Sequence, residues 1–83
     1  MANDSGDMRT LVEDIAKALV DEPGEVAVNA VEEGGTTVLE LKVAVNDVGK
    51  VIGKQGRTAR SIRTLLAAAS MKYQKRYTLE ILE

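Results

Sequence analysis

Val51-Ile52-Gly53-Lys54-Gln55-Gly56-Arg57 is the stretch on which the reading of this chain turns. Two glycines three positions apart let the backbone bend sharply and approach another backbone closely, because no Cβ intervenes. Lys54 between them and Arg57 just after set positive charge at the point of closest approach. A polyanion is the natural guest of such a turn. The surroundings agree: Val48 to Arg76 holds eight basic residues and no acidic one. Met1 to Asp47, by contrast, has eleven acids against Arg9, Lys17 and Lys42. The overall charge of −2 therefore hides a strong internal polarity, and it is the local field that draws a ligand.

On either side of the turn the chain organises itself into a small α+β domain. Met8, Leu11, Val12, Ile15 and Leu19 recur at the spacing of one helix face, with Asp7 placed to cap it. Pro23 and Gly24 end that helix. Glu25 to Glu33, with Val26, Val28 and Ala30 on one side, reads as a strand, and Gly34-Gly35 as a tight hairpin turn. Thr36 to Val45 alternates, with Leu39, Leu41, Val43 and Val45 inward. Asn46-Asp47 caps a helical turn from Val48 to Ile52. A second long helix follows Gly56 to about Ser70. There Ala59, Ile62, Leu65, Leu66 and Ala69 share an apolar arc opposite Arg57, Arg60 and Arg63. Tyr77, Leu79 and Ile81 close the chain as a third strand.

The resulting order is α-β-β-α-α-β. Two helices separate the second and third strands, so those strands are expected to be parallel, with the second central and the helices on one face of a three-stranded mixed sheet. Residues 1–7 are expected to be disordered and 8–83 to form a single domain.

Several chemistries are set aside by composition. The 83 residues include no cysteine and no histidine, which removes thiolate metal sites and the usual general base. No nucleophile–base pair or ligand cluster is visible, so neither catalysis nor a cofactor or metal is expected. The polar, acidic N-terminus is unlike a secretory signal, and no apolar run nears the ~20 residues that cross a bilayer, so the expected setting is cytoplasmic, away from membranes. Two nucleotide-binding loops also fail. A Walker A loop has four residues between its glycines and Ser or Thr after the lysine; here Gly49 and Gly53 enclose three, and Gln55 follows Lys54. The dinucleotide fingerprint is missed at its first spacing.

What remains is helix, Gly-x-x-Gly, helix, with helix N-terminal regions and free amides bracketing a turn suited to phosphates. Val51-Ile52-Gly53-Lys54-Gln55-Gly56-Arg57-Thr58-Ala59-Arg60-Ser61-Ile62 resembles the core of a K-homology (KH) domain, and the element order is that of its type II form. Glu40-Leu41-Lys42-Val43, Val48-Gly49-Lys50-Val51-Ile52 and Ile62-Arg63-Thr64-Leu65-Leu66 narrow the resemblance to the small free-standing bacterial KH RNA-binding proteins of the KhpA/YlqC type.

That resemblance implies a non-catalytic, single-stranded RNA-binding protein, a post-transcriptional regulator or RNA chaperone. Its Gly53-Lys54-Gln55-Gly56 loop would clamp about four nucleotides. Lys54 and Arg57 would contact phosphates, and Lys50 and Arg60 would join the RNA-binding surface. Val51, Ile52 and the Ala59/Ile62 side of the following helix would wall an apolar groove, with strand two opposite. Ala59 stands where many KH domains carry Ile or Leu, which makes the groove shallower. Leu65, beside Ala67-Ala68-Ala69, is the candidate dimer interface, for a homodimer or a heterodimer with a second, Jag-type KH protein. A competing reading is an adaptor that uses this surface for a partner KH protein rather than RNA.

Overall fold

A computed structural model describes residues 4–82, with side chains from residue 8 onward. Helix α1 (Asp4–Leu19) leads through a 3-10 turn at Pro23–Glu25 into strands β1 (Ala27–Glu33) and β2 (Thr36–Lys42). A second 3-10 turn, Val45–Asp47, opens the short helix α2 (Val48–Ile52). A third, Lys54–Gly56, separates α2 from the long helix α3 (Arg57–Tyr73), and β3 (Arg76–Ile81) follows. The sheet order is β1-β2-β3, with β1 antiparallel and β3 parallel to the central β2. The expected topology is therefore the observed one.

Local chemistry explains the hairpin. Gly34 and Gly35 both take positive φ, +55° and +84°, as a two-residue turn twisted to match its strands requires. That turn sets the register: Val31 faces Val38 and Ala30 faces Leu39. Across the parallel pair, Leu39 meets Leu79 and Thr37 meets Tyr77. Val28, Leu39, Leu41, Tyr77 and Leu79 thereby project from one face of the sheet into a core shared with Met8, Val12, Ala16, Val51, Ile62 and Leu66 of the helices. Fully burying each large apolar side chain there contributes about 1.5–3 kcal/mol.

The structure corrects several expected boundaries. α1 begins at Asp4 rather than after Asp7, and residues 1–3, the start of the segment expected to be disordered, lie outside the described residues. Its buried row is Met8, Val12 and Ala16. Leu11, on the flank, and Leu19, at the helix end, are exposed. Ala30 is exposed although it pairs with the fully buried Leu39, because the helical layer does not extend that far over the outer strand. Strand β2 ends at Lys42. Val43 is still inward, but the chain then turns, and Val45 is 84% exposed instead of continuing the alternation.

α3 runs three residues past Ser70 to Tyr73 and is closed by Gln74, whose φ of +55° is left-handed. Ser70 Oγ donates to the Leu66 carbonyl and accepts the Tyr77 amide, both at 2.9 Å. The last turn of α3 is thus tied to the first residues of β3. Since only Gln74 and Lys75 connect them, β3 must run back along α3.

Candidate nucleic-acid interface

The glycine loop is built from alternating hand. The Gly53 amide closes α2 on the Gly49 carbonyl at 2.8 Å. Gly53 then takes φ +80°, ψ 169°, Gln55 φ +58°, ψ 28°, and Gly56 φ +73°, ψ 13°. Three positive φ values in four residues reverse the chain within one turn, and the Gly56 amide returns to the Gly53 carbonyl at 3.0 Å. The amides of Lys54 and Gln55 make no backbone hydrogen bond among the described residues. Both side chains are exposed at the tip.

Behind the loop lies a cleft of about 500 Å³. Ile52, Gly56, Ala59 and Arg63 line it from the helical side, and Thr78, Leu79, Glu80 and Ile81 from β3, with Val38 of β2 beside them. The expected wall at strand two is therefore mainly strand three, the outer strand against which α3 packs. Sequence reading did not single out Thr78, Leu79, Glu80 or Ile81 as site residues. The signal available was the two-residue link from α3, which forces β3 alongside that helix.

The expected site residues separate into groups. Gly53, Lys54, Gln55, Gly56 and Arg57 stay together at the loop, and Ile52 and Ala59 line the cleft. Arg57 and Arg60 are exposed on the first turns of α3, where one Arg57 guanidinium N–H donates to the Gln55 side-chain oxygen at 3.3 Å. Lys54, Arg57, Arg60 and Arg63 enter no ion pair among the described residues. Val51 is fully buried in the core, and neither it nor Ile62 is among the residues that line the cleft. Leu65 is half exposed, outside the core cluster.

Lys50 is not a free cation. Its ammonium lies 3.4 Å from carboxylate oxygens of both Asp21 and Asp47. Asp47 was expected to cap α2, yet it makes no capping bond there. Its carboxylate reaches instead to the amides of Asp21 and Glu22, which donate at 3.2 and 3.1 Å. Burial would push the Asp47 carboxyl up, but those amides and Lys50 outweigh it and hold it below its usual range. The hydrogen bond to Asp47, followed by that to Asp21, raises the Lys50 ammonium. Elsewhere, Lys75 pairs with Glu32 at 3.1 Å and Lys72 lies over the Tyr73 ring, so these cations serve the fold.

Among the described residues no cluster of carboxylates could hold a metal ion, and no helix is long and apolar enough to cross a membrane.

This arrangement of loop, cleft and parallel outer strand has close relatives, and the model of the KhpA/KhpB KH domain matches residues 9–81. The chain belongs to the KhpA/KhpB family of KH domains. It is 55% identical over 75 residues to the RNA-binding protein KhpA of Caldanaerobacter subterraneus subsp. tengcongensis, and equally to that of Clostridium acetobutylicum. Each comparison covers 90% of this chain and 100% of the relative. The KhpA of Treponema pallidum is 55% identical over 73 residues, 88% of this chain and 91% of its own. Among solved structures, Era of Aquifex aeolicus bound to GDP and aluminium fluoride superposes with a TM-score of 0.66 at 19% identity, over 98% of this chain and 31% of Era. Era in complex with nucleotides 1506–1542 of 16S ribosomal RNA gives 0.59 at 22% identity, over 89% of this chain and 28% of that one. At that identity the likeness speaks for the fold, and this KH chain spans less than a third of Era's length.

Proposed function

We propose that this KH chain is a non-catalytic single-stranded RNA-binding protein. Its Gly53-Lys54-Gln55-Gly56 loop holds the backbone of about four nucleotides, and the bases lie in the adjoining cleft. The observation that carries the reading is an exposed loop whose Lys54 and Gln55 amides make no backbone hydrogen bond, with Lys54, Arg57, Arg60 and Arg63 free of ion pairs among the described residues, beside a cleft of mixed apolar and polar lining. The curated relatives, named RNA-binding proteins, support it. So little machinery gives weak, broadly specific binding, which suits a post-transcriptional regulator or RNA chaperone acting through many transcripts. Lys54→Asp with Gln55→Asp tests the clamp. Both side chains are exposed and belong to no core contact, so the thermal midpoint should hold while affinity for a single-stranded RNA pool falls at least tenfold, read by fluorescence anisotropy. Unchanged titration curves would sink the reading.

A single clamp gains most from a second one, because a linked site binds at high effective concentration. Leu65, half exposed, stands one turn from the exposed Ala68, itself one turn from the 82%-exposed Met71, and this row along α3 offers an apolar surface for pairing with a second copy or with a partner KH protein of the Jag type. The family model takes in both KhpA and KhpB, which is in keeping with such pairing. Leu65→Asp is expected to convert a dimeric elution volume to a monomeric one in size-exclusion chromatography. An unaltered elution volume would place the contact elsewhere, and a monomeric parent would remove it. An adaptor role on the same face would show as recovery of protein without RNA after crosslinking in cells.

A further inference from the structure

The cleft beside the loop does not stop at Ala59. Further along the same seam a second cavity of about 220 Å³ opens between α3 and β3, lined by Arg63, Leu66, Tyr77, Thr78 and Leu79. Arg63, Thr78 and Leu79 line both cavities, so the two are neighbouring stretches of one trough. Helix and strand run in opposite directions, and the lining follows suit. Ala59 and Ile81 belong to the stretch near the loop, whereas Leu66 and Tyr77 belong to the far one. From Ala59 to Leu66 the helix rises roughly 10 Å, and from Ile81 back to Tyr77 the strand covers roughly 13 Å.

The far stretch has its own chemistry. Leu66 and Tyr77 are 1% and 4% exposed and form an apolar floor. The exposed Arg63 and Thr78 put a guanidinium and a hydroxyl on the rim. No carboxylate lines this stretch, although Glu80 lines the first. A flat heteroaromatic ring suits such a place. It covers the apolar floor with one face and meets the guanidinium edge or plane at the rim, while the phosphate that joins it to its neighbour falls near Arg63. Arg63 makes no ion pair among the described residues, so its charge is available.

We infer that the far cavity is a base pocket for one nucleotide beyond the four or so held along the loop and first cleft, with Arg63 bridging the two subsites. This rests on the proposed RNA-binding reading and extends the site by one base. Its recognition is by stacking and charge, so it tolerates any base and adds affinity rather than sequence preference.

The test lies first on the RNA. Random-sequence pools of four and six nucleotides, and a six-nucleotide pool with abasic residues at both ends, are titrated against the full chain by anisotropy. All six-nucleotide pools carry the same phosphates, so only the outer bases differ. Stacking at about 1–3 kcal/mol per base corresponds to roughly five- to 150-fold, so the intact six-mer should bind at least fivefold more tightly than its abasic-ended counterpart. Equal affinity of those two would overturn the inference while leaving the four-nucleotide clamp standing. Failure of every pool to bind would overturn the RNA reading and this inference with it. On the protein side, Leu66→Phe raises the floor of the far cavity alone. Provided the melting midpoint shows it folded, it should erase the gain from the outer bases and leave four-nucleotide binding in place. Retention of the full gain in a folded Leu66→Phe chain would also count against the pocket.

Discussion

Gly53→Ala is expected to destabilise the fold by roughly 3 kcal/mol and to remove RNA binding, while Gly56→Ala costs only about 1 kcal/mol. Both glycines have positive φ, yet they differ in what surrounds them. At φ +80°, ψ 169°, Gly53 lies in a region that is essentially closed to residues with a Cβ. A Cβ built there would come within 2.7 Å of Thr58 Cβ and 2.8 Å of the Thr58 backbone nitrogen, with Thr58 Oγ1 nearer still. A hydroxyl can rotate away, but a backbone nitrogen in the first turn of α3 cannot move without moving the helix. Gly56, at φ +73°, ψ 13°, is in the ordinary left-handed region, and a Cβ there would meet open space. Gln55 already tolerates that conformation in the same loop.

Equilibrium unfolding in urea reads the stability difference, and anisotropy with single-stranded RNA reads the binding. Thr58→Ala in the Gly53→Ala background removes Oγ1 and restores only part of the stability, because Thr58 Cβ and N remain in the way. If Gly53→Ala and Gly56→Ala unfold at the same denaturant concentration, the close approach of α3 to the loop is not what demands glycine at 53.

How much of this was legible in the sequence follows from how local each feature is. The Gly34-Gly35 hairpin, the alternation of β2 and the Gly-x-x-Gly corner are set by a few adjacent residues, and all are found where the pattern puts them. Element ends were less legible. Val45 continues the apolar alternation of β2, but the chain needs a turn there to present α2, and position overrides type. The cleft was half legible. Ile52 and Ala59 belong to the motif itself, whereas the facing residues of β3 come from about twenty positions or more further along and depend on the crossover. Least legible was charge. Lys50 counts as one more cation in a basic run until two carboxylates on separate segments are seen beside it. Asp47 looked like a helix cap because capping is what a local reading offers an aspartate at that place.

Asp47 gives the second large effect, and its partners show why. Its carboxylate is 1% exposed and accepts amides that lie 25 and 26 residues away in the chain, so it pins the link after α1 to the start of α2, one short helix from the glycine loop. Asn at this position keeps one acceptor but turns an NH₂ toward an amide N–H, setting donor against donor, and leaves Lys50 with half its countercharge. Asp47→Asn is therefore expected to lower the melting midpoint sharply at neutral pH and to weaken RNA binding through a misplaced loop.

The pH dependence separates this cause from a mere packing defect. The Asp47 carboxyl is held below its usual 3.8 in the folded state, so its contribution is complete above that value and is lost as pH falls through the folded pKa. Lys50 is raised above 10.5, so its contribution is complete below that value and is lost as pH rises through its own folded pKa. The gap in melting midpoint between the parent and Asp47→Asn should accordingly stay level from about pH 5 to 9 and narrow below about pH 4, where protonation undoes in the parent what the substitution has already removed. A gap that keeps its full size in acid would mean that the carboxylate charge is not what holds the two segments together.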